Sequence, residues 1–140
     1  DRCIEGIRAK TCVHVCYSYP MPGVPRPIVD AYPAILTELE HSKVDQLALE
    51  FEASGLDPEL LALCPSKTVL FGCVDNGALG FDRVERPEQI AARLLMAAEY
   101  LPADQIQAAP DCGLVPLDID IARRKLKVMV EGAKLARSQL

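Results

Sequence analysis

The sequence predicts an α/β fold in which about four βα units build a parallel sheet. Three observations predict it. Four short apolar runs rich in β-forming residues, 11–17, 46–51, Thr68–Val74 and 105–109, alternate with stretches of helical periodicity. The last helical stretch is amphipathic on a clear three- and four-residue spacing. The chain of 140 residues is 50% hydrophobic and has no low-complexity tract, which suits one folded unit rather than several.

Each element follows in order. Residues 1–10 read as the tail of a helix whose beginning is absent and, with no initiator Met, suggest a piece of something longer. The first strand, Thr-Cys-Val-His-Val-Cys-Tyr, runs into a stretch, 19–33, that holds Pro20, Pro22, Gly23, Pro25, Pro27 and Pro33. So many prolines exclude a helix or central strand and predict a long loop, often a functional feature in a compact domain. A helix is expected over 31–41, then a strand over 46–51 and a short helix over 57–63. The third strand closes on the turn Val74-Asp75-Asn76-Gly77. Pro87 suits the first turn of a helix whose apolar stripe is Ile90, Leu94, Ala97 and Leu101. After the fourth strand and the block Ala109-Pro110-Asp111-Cys112-Gly113, the final helix carries Ala122, Leu126, Met129, Ala133, Ala136 and Leu140 on one face. That face is expected to pack on a sheet and the opposite one to be solvated. Four βα units amount to about half of an eight-stranded barrel, which typically needs about 250 residues, and half a barrel has two open sheet edges.

Composition excludes several partners. With 15 Lys+Arg against 20 Asp+Glu the net charge is −5, and no basic patch interleaves with aromatics, so nucleic acid is not expected to bind. No stretch approaches the roughly 18 uninterrupted apolar residues of a membrane span, and the first residues have no signal-peptide character. A soluble, cytoplasmic protein is expected. The six cysteines fall mostly in apolar runs rather than in a loop-rich scaffold, so reduced thiols or metal ligands are expected rather than bridges.

Four residues with ligand chemistry fall where strands finish. Strand alternation puts Cys12, His14 and Cys16 on one face, so His14 and Cys16 can grip one ion. In the second strand Leu47, Leu49 and Phe51 suit a helix-covered face, which leaves Gln46, Ala48 and Glu50 on the other; Glu52 is the rival carboxylate. Cys112 falls at the C-terminal end of the fourth strand, the end at which barrel active sites lie. One His, one carboxylate and two Cys match the tetrahedral preference of Zn²⁺. The ordinary alternative makes the cysteines small buried hydrophobes, His14 a satisfied core histidine and Glu50 half of an ion pair. That alternative is preferred for Cys3 and Cys64, and His41 reads as a solvated cation at a helix end. Asp75 closes the third strand and can orient a substrate amine or relay a proton, or simply open the Asn-Gly turn.

Five blocks carry a resemblance. His14-Val15-Cys16-Tyr17, Leu47-Ala48-Leu49-Glu50-Phe51, Phe71-Gly72-Cys73-Val74-Asp75, Ala109-Pro110-Asp111-Cys112-Gly113-Leu114 and Lys125-Leu126-Lys127-Val128-Met129-Val130-Glu131-Gly132-Ala133 resemble, in order and approximate spacing, the C-terminal half of cobalamin-independent methionine synthases. The resemblance implies a (β/α)₈ TIM barrel with His14, Cys16, Glu50 and Cys112 as zinc ligands. It also implies zinc activation of a substrate thiol, homocysteine, as the thiolate that receives a methyl group from methyltetrahydrofolate or a related donor. Glu50 and Asp75 become substrate contacts, and Asp75 the catalytic residue, as a substrate or proton contact. The missing N-terminal half of the barrel is expected from a second chain or fragment, without which this chain should not catalyse.

Two features depart from the long family members. Gly77 stands where they carry a His two residues after the matching Asp, an Asp-x-Gly pattern shared with shorter single-barrel relatives, and the proline-rich loop is longer here. Alkyl transfer to coenzyme M or from a corrinoid donor is therefore the rival within the enzyme class. A non-catalytic zinc-binding subunit is the rival outside it.

Overall fold

In the computed structural model, residues 1–18, 26–77 and 83–140 are described. Four parallel strands, β1 (Cys12–Val15), β2 (Gln46–Leu49), β3 (Thr68–Val74) and β4 (Ile106–Pro110), form one sheet in the order β1-β2-β3-β4. Helices α1 (Tyr32–Glu40) and α2 (Pro87–Ala97) lie in the β1–β2 and β3–β4 connections, and α3 (Ile119–Arg137) follows β4. Consecutive parallel strands in sequential order are the arrangement that βα repeats produce, so the expected α/β class holds. No described helix is long and apolar enough to cross a membrane.

The two sheet faces differ as alternation requires. Leu47, Leu49 and Phe51 are buried together with Val69, Phe71 and Cys73 beneath the helices. On the opposite face, Cys12 and His14 of β1 are exposed and Gln46 and Ala48 of β2 are partly open. β4 ends in Pro110, which lacks a ladder N–H and is tolerated because β4 is an edge of this sheet.

Three expectations change. Only Arg2–Ile4 is helical in 1–10, as a single 3₁₀ turn, after which Gly6 takes the left-handed φ of 80°. The short helix expected over 57–63 is a 3₁₀ segment, Pro58–Leu63, started by Asp57 accepting the Glu59 N–H at 2.9 Å. In α3 the buried face is Ile121, Lys125, Gly132 and Ala136. A Cβ on Gly132 would come within 2.4 Å of Ile90 Cβ and 2.7 Å of the Pro87 carbonyl, so α2 crosses α3 at this glycine and turns the helix away from the expected stripe. Leu126 and Leu140 are consequently exposed, at 42% and 68%. Met129, Ala133, Ala136 and Leu140 instead line a groove of about 820 Å³ shared with Ile106 and Ala108 of β4. Residues 19–25 of the proline-rich stretch lie outside the described residues, which resume at Arg26, and its last two residues, Tyr32 and Pro33, open α1.

Candidate metal centre

Strand exits build the site. His14 sits on β1 opposite Ala48 of β2, and its Nδ1–H donates to the Ala48 carbonyl at 3.1 Å. A carbonyl only accepts, so this bond orients the ring and leaves Nε2 as the nitrogen free to ligate a metal. Cys16 follows β1 directly, and Cys112 follows the end of β4. Their sulfurs lie 3.9 Å apart, and both thiols are free. The donor atoms of His14, Cys16 and Cys112 all fall within 4.8 Å of one another. Among the described residues no other three metal-ligating side chains converge so closely. A tetrahedral ion with Zn–S bonds of about 2.3 Å separates its sulfurs by about 3.8 Å, so the observed spacing suits such an ion without rearrangement.

Electrostatics agree with the donor set. Burial pushes the Cys16 thiol up, neighbouring Cys112 and Glu50 push it further, and a hydrogen bond from the Ser18 backbone only partly opposes them. The protein's own groups therefore favour a protonated thiol, and a divalent cation is what would reverse that preference.

Asp111 sets the position of Cys112. It is fully buried, with Oδ1 accepting the Phe51 and Glu52 N–H groups at 3.0 Å each and Oδ2 accepting the Ala53 N–H at 2.7 Å. Its own N–H donates to Val74 at 3.0 Å. The exit of β4 is thereby tied to the exit of β2 across β3. Gly72 makes the crossing possible, because a Cβ there would stand 2.3 Å from Asp111 Oδ1 and 2.6 Å from the Leu49 carbonyl. Burial pushes the Asp111 carboxyl up to about 7 against the three N–H donors.

The other expected residues sit differently. Glu50 is completely buried beside the sulfur pair but outside the converging group. Its Oε1 accepts from Arg26 Nη1 at 2.5 Å and its Oε2 from the Tyr17 N–H at 2.9 Å. Tyr32 supports this corner: its hydroxyl donates to the Val15 carbonyl at 2.8 Å and accepts the Glu50 N–H at 3.0 Å, while its ring stacks on Tyr17 at 5.4 Å. Glu52 pairs with Arg93 of α2, whose other nitrogen donates to the Cys73 carbonyl at 2.9 Å. Asp75 caps its own turn by accepting the Gly77 N–H at 2.7 Å, and its N–H donates to Glu85 at 2.9 Å. Glu85 in turn pairs with buried Lys125 Nζ at 2.7 Å. Sequence reasoning missed Arg26, Tyr32, Asp111 and the Glu85–Lys125 pair. Lys125 was detectable, since it falls on the spacing of Ile121, Gly132 and Ala136, where a buried ammonium demands an acid.

Residues 2–135 match the family model described as the cobalamin-independent synthase catalytic domain. The chain belongs to this family. It is 32% identical over 141 aligned residues to the methionine synthase of Thermococcus kodakarensis and 33% identical to that of Pyrococcus furiosus. All of the chain aligns in both cases, but only 38% and 37% of those relatives. The structure is also similar to a B12-independent methionine synthase from Shewanella sp. W3-18-1 in complex with selenomethionine, with TM-score 0.87 and 30% identity over 99% of this chain and 41% of that one. The chain thus spans about two fifths of the length of the family members it matches. The family match extends from the first 3₁₀ turn into α3 and includes all three converging ligands.

Proposed function

We propose that this chain is the zinc-bearing C-terminal half of a (β/α)₈ barrel that transfers a methyl group to the thiol of homocysteine, forming methionine, from methyltetrahydrofolate or a related donor. The observation that carries the proposal is the convergence of His14, Cys16 and Cys112 at the C-terminal ends of parallel strands. β1 and β4 lie at opposite edges of the sheet, about 14 Å apart if it were flat. Their exits nevertheless bring two sulfurs within 3.9 Å, which supports a sheet curled about a common axis, as in a barrel. The Shewanella protein's selenomethionine is the selenium analogue of the expected product.

His14, Cys16 and Cys112 would hold zinc, which when bound would supply the Lewis acidity that brings the pKa of a substrate thiol toward neutrality. The chain's own groups prepare the site. Ala48 fixes the His14 ring, Asp111 holds the Cys112 segment, and the Tyr17–Tyr32 stack walls one side. Asp75, held through its backbone by Glu85, is the proposed contact for a substrate amine or a proton. The remaining half-barrel, a separate subunit or another part of the same polypeptide, closes the open β1 and β4 edges and fills the groove beside α3. The lengths of the relatives support that occupant.

Gly77 favours a second reading for the donor and acceptor, alkyl transfer to coenzyme M or from a corrinoid. Assay of the intact protein tests both. Methyl transfer to homocysteine that requires zinc supports the first reading, and product formed only with coenzyme M or a corrinoid donor supports the second. If this chain alone unfolds cooperatively as a stable monomer, the half-barrel proposal is wrong.

A further inference from the structure

Lys125 and Lys67 are both buried, and they are compensated differently. Lys125 is paired with Glu85, whereas Lys67, 6% exposed, forms no ion pair among the described residues. Its Nζ donates instead to the Ser42 carbonyl at 2.8 Å and to the Val44 carbonyl at 2.9 Å. An ammonium carries three N–H donors, so one is left over, and lysine is rarely buried without a compensating anion. Lys67 lines a pocket of about 380 Å³ at the starts of β1, β2 and β3, the end of the sheet opposite the metal centre. Exposed Lys10 and Lys43 line the same pocket, together with Ser66 and Thr68. The acid among the lining residues is Asp45, whose Oδ2 accepts the Thr11 N–H at 2.7 Å and the Thr11 hydroxyl at 2.8 Å.

The sign of the pocket follows from these groups. The two hydrogen bonds from Thr11 hold the Asp45 carboxyl below the usual carboxylate range, and Lys10 and Lys67 add to the effect, so Asp45 stays ionised and already occupied. Glu40 and Asp1 accept the Ser66 and Lys43 N–H groups and do not line the pocket. Three ammonium groups against one carboxylate leave an excess of positive charge, in a chain whose net charge is −5. Like charges gathered in this way repel one another unless an anion enters. Three ammonium donors beside two hydroxyl residues suit the several acceptor oxygens of a compact dianion. We propose that this pocket is an anion site that takes a phosphate group, with Lys67 at its base and Lys10 and Lys43 at its mouth. The site is independent of the metal centre and of the methyl-transfer reading. If Lys67 served only to tie the Ser42 and Val44 carbonyls, Lys10 and Lys43 would contribute nothing there, and removing them would change no binding.

The test is calorimetric titration of the intact protein carrying this chain with inorganic phosphate, at an ionic strength held constant with chloride. Saturable binding with a dissociation constant of about 1 mM or tighter is expected, and Lys10→Gln combined with Lys43→Gln should weaken it at least about tenfold. Lys127→Gln combined with Lys134→Gln removes the same charge from α3 and should leave the affinity unchanged. Glycerol 3-phosphate titrated in parallel identifies the source of the group. Binding tighter than that of inorganic phosphate points to a phosphate ester, and equal or weaker binding to the free ion. Lys67→Met should abolish binding; should it not fold, the Lys10 and Lys43 double variant decides alone. Absence of saturable binding by either probe, equal losses in the two double variants, or parent affinity in the Lys10 and Lys43 variant overturns the proposal.

Discussion

Two corners at the same end of the sheet hold most of the buried charged side chains among the described residues, and they are built on opposite principles. Where β2 and β3 exit, each acid has an internal partner: Glu52 has Arg93, Glu85 has Lys125, and Asp75 takes the Gly77 N–H. Where β1 and β4 exit, two thiols and an imidazole converge, and the ion pair found there among the described residues is that of neighbouring Glu50 with Arg26. The first corner is electrostatically satisfied and works as a buckle. The second has donor capacity left over, which makes it the one fit to take a metal ion. Clusters of acids therefore say less about metal binding than donors whose partners are missing.

Breaking the buckle should produce the largest effect. Lys125 is completely buried and its side chain is paired with a 6% exposed Glu85, so Glu85→Ala leaves an uncompensated ammonium and should cost about 3–5 kcal/mol in denaturant unfolding. Folded Glu85→Ala protein should still bind metal with the parent's affinity, and a loss there would mean that the corners are coupled. Replacing both partners, Glu85→Leu with Lys125→Met, should recover most of the stability. Next in size, Cys16→Ser should weaken zinc binding by more than about 100-fold, measured by chelator competition, while barely moving the metal-free unfolding midpoint. Gly72→Ala links the corners, since its methyl collides with the Asp111 carboxylate and the Leu49 carbonyl. It should cost about 1–3 kcal/mol and also lower metal affinity, because Asp111 holds the segment that carries Cys112.

The smallest effect is the pH dependence that two buried thiols contribute. Burial pushes Cys64 up to about 11 and Cys73 up to about 12, from an ordinary value of 9.0. Between their ordinary and raised values these thiols hold more protons in the folded chain than in the unfolded one, so their contribution to stability is fully present below pH 9 and declines as pH rises toward 11–12. Cys73→Ala should flatten part of that decline in urea titrations at pH 8 and pH 10.

Much of the fold was legible because it rests on local pattern. The alternation Leu47-x-Leu49-x-Phe51 identified the helix-covered face of β2, and the four apolar runs became the four strands. Leu126 shows where pattern fails. It lies on the most regular apolar stripe of α3 yet is 42% exposed, because Gly132 lets α2 pack so closely that a neighbouring stripe is buried. At the site, His14, Cys16 and Cys112 could be read from strand ends because strand direction alone brings such residues to one rim. Arg26 could not, since its partners Glu50 and Ala53 are distant in sequence and it leaves a proline-rich segment without periodicity. Asp111 was equally silent: nothing in Pro-Asp-Cys-Gly reveals that its carboxylate takes three backbone N–H groups from another strand exit.

The central claim is that the rim of β1 and β4 is a zinc site, and elemental analysis of the intact protein, purified without chelators and with any accompanying chain retained, tests it most directly. One zinc per copy of this chain, lost in Cys112→Ser, is the predicted result. Protein that carries no zinc, or a Cys112→Ser variant that retains it, would contradict the account.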